Sequence, residues 1–265
     1  MRPDEKTCLV PDVTDDAFIG GRLRLLQPVG GYRAGLDAVL LAAAAPVIEG
    51  QGERVLDAGA GVGTVGLCVA ARIGDAKVTL LEAVPELLRI ARENVTRNGL
   101  EDRVRAIGAD VLGPVAEHRA IGLLSGSFEH VLANPPYLVE GHGRPARDAL
   151  RAGAHAMEAG GLECWVRFLA RMMTGGGTLT LIHRADALGR VLAALEGRCG
   201  ALEVLPLHPR APEPAHRVLV RGRKASRAPL RLLPGVALHG AGHRFLPGIE
   251  AVLREGAPLE FGGGG

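Results

Sequence analysis

Apolar and polar positions follow two different periods along this chain, and the switches between them mark its elements. Residues 1–16 read as a polar arm. From Phe18 to Gln27, Ile19, Leu23 and Leu25 alternate with Arg22, Arg24 and Gln27 around Gly20-Gly21, which predicts a small β-hairpin. A loop follows, Gly30-Gly31-Tyr32-Arg33-Ala34-Gly35-Leu36, and then an apolar helix over Ala38–Ile48 with Asp37 as its N-cap. Beyond it short apolar runs alternate with helical spacing. Strands are predicted at Val55–Asp57, Lys77–Glu82, Val104–Asp110, Glu129–Ala133, Thr178–His183, Leu202–Leu207 and Val218–Arg223. Helices are predicted at Val65–Arg72, Pro85–Asn98, Gly161–Met173 and Ala185–Leu195. Strand–helix alternation implies an α/β fold with a mostly parallel sheet and helices on both faces. A Pro-rich loop alone joins the last two of the seven strands, so the last strand is expected to be antiparallel. The tail, 235–265, offers one short helix at Gly248–Arg254, and Phe261 with the glycines after it reads as frayed. This divides the chain into an arm, hairpin and helix (1–50), a central α/β unit (51–225) and a C-terminal extension (226–265).

Composition narrows the class only a little. The 265 residues are 47% hydrophobic, enough for a substantial core. No apolar run reaches the ~18 residues that would span a bilayer, and the start carries no signal-peptide core, so a cytoplasmic protein with no membrane partner is expected. The cysteines, Cys8, Cys68, Cys164 and Cys199, are scattered without zinc-ligand spacing, so neither a metal site nor a disulfide framework is expected. The net charge of +2 gives no strong field for nucleic acid. Lysine occurs only at Lys6, Lys77 and Lys224, so arginine supplies nearly all the basic residues. Arginine suits phosphate contacts, although a GC-rich genome would give the same bias.

The chemistry concentrates at the strand ends. Val55-Leu56-Asp57 runs into Ala58-Gly59-Ala60-Gly61-Val62-Gly63 and then a helix. A strand, a glycine turn and a helix present backbone N–H groups to a ligand. The glycines, read as G-x-G-x-G, do not match the dinucleotide spacing. No Gly-Lys-Ser/Thr follows to grip a triphosphate. An acid ahead of the glycines favours a ligand with cationic or hydroxyl-rich parts. Glu82 ends the next strand about 20 residues beyond Gly63, where an acid faces ribose hydroxyls in dinucleotide sites. Asp110 ends the third strand, where an adenine amino group could donate to it. A glycine turn without a ligand remains the plain alternative.

Strand four runs into Asn134-Pro135-Pro136-Tyr137. Two prolines stiffen the segment and remove two donors, and Pro135 forces Asn134 out of the helical region. The Asn134 side-chain oxygen and the Pro135 carbonyl then face outward as two acceptors, which suits the two hydrogens of a planar amino group. Tyr137 could stack on the ring that carries that amine. A loop breaker with Tyr137 in the core is the alternative.

Asp57-x-Gly-x-Gly-x-Gly together with Asn134-Pro-Pro-Tyr resembles the class I S-adenosylmethionine-dependent methyltransferases that modify planar nitrogens. The block Gly31-Tyr-Arg-Ala-Gly-Leu-Asp-Ala-Val-Leu-Leu41 makes the chain similar to the bacterial tRNA-valine adenine-N6 methyltransferases, over about Phe18 to Lys224. The resemblance implies a Rossmann-like fold, S-adenosylmethionine as cofactor and an RNA partner, tRNA above all. It implies Asp57, Gly59 and Gly61 at the cofactor's methionine end, Glu82 on the ribose and Asp110 at the adenine edge. Tyr32, Arg33 and Asp37 would close the cofactor pocket, with Asn134 also bordering the cofactor. Asn134, Pro135, Pro136 and Tyr137 would take the target amine. No metal is implied.

Two other readings stay open: a protein glutamine-N5 methyltransferase, and a catalytically silent binding module of the same fold. Release-factor enzymes of the first kind are expected to carry a helical recognition domain of ~70 residues, and only about 50 residues precede the first sheet strand here. The stretch Glu140–Glu158, with Arg144, Arg147, Arg151, His142 and His155, is a candidate phosphate-binding flap. Arg217, Arg221 and Arg223 alternate along the last strand and suggest a face that follows RNA backbone.

Overall fold

The computed structural model describes residues 12–30, 33–136, 161–240, 242 and 244–261. Gly31, Tyr32, Tyr137 and the flap candidate at 140–158 lie outside them. The chain opens with a two-stranded ribbon, β1 (Val13–Phe18) and β2 (Leu23–Pro28), paired antiparallel around Ile19–Gly21. The ribbon therefore begins inside the stretch expected to be a loose arm. Val13–Phe18 is acidic, yet its outer position leaves Asp15 free to pair with Arg24 and Arg97 at 3.1 and 2.7 Å.

Helix α1 covers Leu36–Ala43 and is shorter than expected. Pro46 disfavours helical geometry at the residue before it and clashes with the carbonyl four residues back, so the run cannot reach Ile48. Gly35 is the N-cap, and Asp37 sits inside the first turn rather than capping it.

The main body alternates as anticipated. In chain order come β3 (Arg54–Ala58), α2 (Thr64–Arg72), β4 (Lys77–Glu82), α3 (Pro85–Arg97), β5 (Val104–Gly108), α4 (Val115–Ala120), β6 (Phe128–Ala133), α5 (Gly161–Met172), β7 (Met173–Arg184), α6 (Leu188–Leu195), β8 (Cys199–His208) and β9 (Arg217–Lys224). The sheet order is β8-β9-β7-β6-β3-β4-β5. The pairs β3–β4, β3–β6, β4–β5 and β6–β7 are parallel. The expected antiparallel strand is β9, wedged between β7 and β8 and antiparallel to both. Two short strands not anticipated, β10 (Arg231–Leu232) and β11 (Val236–Ala237), add in parallel to β8.

Alternation along the strands feeds two cores. Val55, Leu67, Val78, Leu40 and Ala91 pack on one face, with α1, α2 and α3. Leu56, Trp165, Phe168, Leu179 and Val191 pack on the other, with α5 and α6. Each fully buried aliphatic side chain contributes roughly 1.5–3 kcal/mol of apolar transfer.

Asn94 of α3 and Asn98, the C-cap of that helix, dock the ribbon. Asn94 and Asn98, one turn apart, each present an amide that pairs with β2 as another peptide group would. Asn94 Oδ1 accepts the Leu26 N–H at 2.7 Å and its Nδ2 donates to the Leu26 carbonyl at 3.0 Å. Asn98 makes the same pair of bonds with Arg24, both at 3.0 Å.

The tail is not frayed up to Phe261. Helix α7 (Pro247–Glu255) packs on the hairpin turn and on α1. Arg72 donates to the Gly256 carbonyl at 2.8 Å, and the Leu259 N–H donates to the Ala43 carbonyl at 2.9 Å. The Phe261 ring lies 3.9 Å from the Arg221 guanidinium. The tail's apolar residues are too sparse to show a period, but Ile249, Val252 and Leu259 are buried in the core and Leu238, Phe245 and Leu253 pack against it.

Candidate active site

The acid-rimmed edge assembles because the parallel register brings successive strand ends level. Asp57 stands across from Leu132 and Leu80, Ala58 across from Ala133 and Leu81, and Glu82 across from Gly108. The glycine turn that leaves β3, the acid that ends β4, the Asp110 loop after β5 and the Asn-Pro segment after β6 therefore lie along one edge. This is the carboxyl edge of the parallel strands, where open α/β sheets bind their ligands.

The turn itself is shaped by its glycines. Gly59, Gly61 and Gly63 have φ of 69°, 59° and 90°, values that side chains resist. Gly66 was not singled out from the sequence, yet Gly61–Gly66 reads G-x-G-x-x-G, the spacing held to be missing. The structure gives Gly66 a packing role: a Cβ there would come within 2.8 Å of Val78 Cγ1, so α2 could not lie against β4. The Gly66 N–H, at the start of α2, donates to Asp57 Oδ2 at 2.9 Å.

Two buried carboxylates sit beneath this turn. Asp57 is 1% exposed, and burial pushes its carboxyl up to about 7. The Gly66 bond opposes that rise, and the nearby Glu82 charge adds to it. Glu82 accepts from Gly61 N–H at 2.7 Å through one oxygen and from Val84 N–H at 2.8 Å through the other. It thus braces the turn against the start of α3. A carboxylate oxygen has a second acceptor site, which leaves Glu82 able to take a hydroxyl as well. Asp110 is exposed. Its Oδ1 accepts from Leu112 N–H at 2.9 Å, and its carbonyl bonds the buried His118 ring at 2.7 Å.

Asn134 is half-buried, Pro135 buried and Pro136 exposed. Leu181 pairs with Ala133 across the β6–β7 ladder. This brings the buried His183, two residues on, to the same edge, although no motif or spacing marks it out. Burial holds its imidazole below the usual range, and Nδ1 accepts the Arg184 N–H at 2.9 Å. Trp165 of α5 is a second such residue, packed directly against Gly59. Its position on an apolar helix face gave no sign of this.

The N-terminal candidates are held differently. Arg33 pairs with Asp16 at 2.6 Å, and Asp37 with Arg217 of β9 at 2.8 Å. Tyr32 and Tyr137 lie outside the described residues. The basic stripe proposed along the last strand is occupied by the protein itself. Arg217 holds Asp37, Arg221 bonds the Ala44 carbonyl beside Glu203, and Arg223 donates to the Gly176 carbonyl at 3.1 Å.

The donor set defines what would fit. Carboxylates at Asp57, Glu82 and Asp110 surround a glycine turn with no Lys or Arg of its own. A Cβ on Gly61 would meet nothing within 4 Å among the described residues, so the turn is open to them there. The Thr64 hydroxyl at the head of α2 is buried without a hydrogen-bond partner among the described residues. Such a set suits a ligand with a diol and a positive charge, and the residues fit S-adenosylmethionine rather than a phosphate. Among the described residues, no three His, Cys, Asp or Glu side chains cluster as metal ligands, and no helix is long and apolar enough to cross a membrane.

Comparison with known proteins agrees with this geometry. The family model described as methyltransferase small domain matches residues 37–167. A tRNA1(Val) (adenine(37)-N6)-methyltransferase of Shewanella loihica is 30% identical over 167 residues, 62% of this chain and 65% of that protein. The match thus spans just under two thirds of that relative's length. A release factor glutamine methyltransferase of Chlorobaculum tepidum is 29% identical over 109 residues, 41% of this chain and 36% of its own length. Among solved structures, one described as a predicted O-methyltransferase, from Agrobacterium tumefaciens, has a TM-score of 0.70 at 32% identity, covering 84% of this chain and 98% of that one. At that identity, over nearly the whole length of that structure, the chain belongs to the methyltransferases and has the Rossmann-like class I methyltransferase fold.

Proposed function

We propose that this protein is an S-adenosylmethionine-dependent N-methyltransferase acting on the N6 amine of an adenine in tRNA, next to the anticodon. The observation that carries the reading is Asn134-Pro135 at the end of β6, level with the glycine turn that follows β3. Glu82 and Asp57 would hold the ribose and methionine ends of the cofactor, Asp110 its adenine edge, and Tyr32, Arg33 and Asp37 would border the pocket. The unit over residues 51–225 would carry the chemistry. A tRNA substrate would put the work in the cytoplasm.

The bound cofactor supplies an electrophilic methyl group on a sulfonium, with a neutral thioether as leaving group. The protein's task is to present a nucleophile. An exocyclic amine is weak because its lone pair is delocalised into the ring. Asn134 Oδ1 and the Pro135 carbonyl accept its two hydrogens and favour a tetrahedral nitrogen as charge develops there. The proline pair fixes both acceptors in advance, so little is lost in orienting them. Tyr137 would stack on the ring that carries the amine. Two acceptors match an amine with two hydrogens better than a hydroxyl with one, which favours nitrogen over oxygen as the methyl acceptor.

The deciding measurement is transfer of labelled methyl groups to bulk tRNA, rRNA, DNA and release factor prepared from a strain lacking the gene. Label in tRNA, recovered as N6-methyladenosine by nucleoside mass spectrometry, is the expected result. Label confined to protein would replace this reading with glutamine-N5 methylation, which the partial release-factor match supports. No labelling together with no cofactor binding would leave a silent binding module.

A further inference from the structure

Two buried amides take no part in the acid rim or the Asn-Pro segment, yet they connect the parts of the site to each other. Asn94 is 0% exposed and Gln27 is 2% exposed. Besides its two bonds to Leu26, Asn94 donates through Nδ2 to the carbonyl of Val62 at 3.0 Å. Val62 lies within the glycine turn, between Gly61 and Gly63. Both amide hydrogens of Asn94 are then used. One residue beyond Leu26, Gln27 Oε1 accepts the Ala34 N–H at 2.8 Å, and Gln27 Nε2 donates to Asp16 Oδ2, also at 2.8 Å. The same Asp16 oxygen takes Arg33 at 2.6 Å. An unbroken chain of hydrogen bonds and one strand backbone therefore joins the glycine turn to residues 33–35, which lead into α1.

We propose that Asn94 and Gln27 are positioning residues that lock the glycine turn to the segment before α1, so that the ribbon forms a working wall of the cofactor site. This rests on the reading that S-adenosylmethionine binds at the turn. The physical case is one of pre-organisation. A turn made of glycines has the most backbone freedom to lose, and a fixed Val62 carbonyl removes part of that cost before any ligand arrives. Gln27 does the same for the Ala34 backbone.

Asn98 supplies the control. It docks the ribbon with the same two bonds as Asn94, but its remaining amide hydrogen goes to the Asn94 carbonyl at 2.7 Å and not to the turn. Loss of ribbon docking alone is therefore common to both asparagines, and loss of the tie to the turn is peculiar to Asn94.

The test measures S-adenosylmethionine dissociation constants by calorimetry for the wild type, Asn94→Ala, Asn98→Ala, Gln27→Met and the Asn94→Ala/Gln27→Met double variant. Urea midpoints are recorded on each, with kcat and cofactor KM on the acceptor that takes label. Asn94→Ala is expected to raise the dissociation constant and KM about tenfold with kcat within about twofold, the scale of one lost buried hydrogen bond. Asn98→Ala is expected to lower the urea midpoint and leave cofactor affinity within about twofold. Gln27→Met is expected to weaken cofactor binding, and the double variant to bind no more weakly than Asn94→Ala, because the two residues act in one path. Equal losses of affinity in Asn94→Ala and Asn98→Ala would overturn the proposal, as would effects that simply multiply in the double variant. Should Asn94→Ala fail to fold, Gln27→Met decides alone, and an unchanged dissociation constant rejects the lock. A wild-type protein that binds no S-adenosylmethionine overturns the cofactor reading itself, an outcome separate from all of these.

Discussion

A Cβ added to Gly59 would stand 2.6 Å from Cη2 of Trp165, so the first glycine of the turn and the indole of α5 share one space. Gly59 also has φ of 69°. Gly59→Ala therefore meets two penalties, left-handed backbone strain and an overpacked ring, together about 2–4 kcal/mol. In a Trp165→Leu background only the strain remains, and the cost of Gly59→Ala is expected to fall to about 1–2 kcal/mol. Urea denaturation of the four proteins checks this. Trp165 is also the sole tryptophan, so its fluorescence is expected to change when a ligand occupies the turn.

Asp57 gives a pH signature. Its folded carboxyl titrates at about 7, against a usual value of 3.8. Between those values the folded state keeps a proton that the unfolded state has released. The contribution to stability is complete below about pH 4 and is lost as pH rises to about 7, by about 1.4 kcal/mol for each pH unit. Other carboxylates follow their own curves, so the useful quantity is a difference. Asp57→Asn should gain stability relative to the wild type as pH rises from 4 to 7, and urea midpoints at several pH values report it. A difference that stays flat across this window would mean Asp57 is not held protonated by burial.

Glu82 braces the turn through Gly61 and Val84 and is the candidate ribose ligand. Glu82→Ala is expected to raise the cofactor dissociation constant by ~1.5–3 kcal/mol, the value of a hydrogen bond to a charged group. Calorimetry decides, and an unchanged constant removes Glu82 from the cofactor.

Asn134 carries the opposite expectation. Asn134→Ala should abolish turnover and leave cofactor affinity within about threefold, because its oxygen is assigned to the target amine, where a single lost positioning contact acts on the transition state. Labelled methyl transfer and calorimetry on the same preparation give both numbers. A matching loss of cofactor affinity would assign Asn134 to the cofactor instead.

The sheet and the acid edge were legible in the sequence because both are local. Val55–Asp57, Lys77–Glu82 and Glu129–Ala133 each announce a buried strand; the first two end in an acid, and the third runs directly into Asn134-Pro135. What escaped notice depends on distant packing. Gly66 matters only because α2 presses against β4. Asn94 looks like an ordinary polar residue in an amphipathic helix until β2 arrives beside it. Arg217, Arg221 and Arg223 read as a free basic stripe because Asp37, Glu203 and the Ala44 carbonyl, which take up two of them, come from other parts of the chain. The ribbon starts earlier than its sequence suggests because Val13–Phe18 has an acidic composition that strand propensity disfavours, and its pairing to β2 outweighs that preference.

The contacts between Ile19–Gly21 and α7 set an order of events. The ribbon's turn and the helix that covers it are separated by more than two hundred positions, so the covering contact is among the most entropically expensive loops to close. During synthesis from the N-terminal side, Ile19 emerges more than two hundred residues before the helix that covers it. Until then that surface needs shielding by some other means. The helix that seals the ribbon's turn is made long after the turn itself.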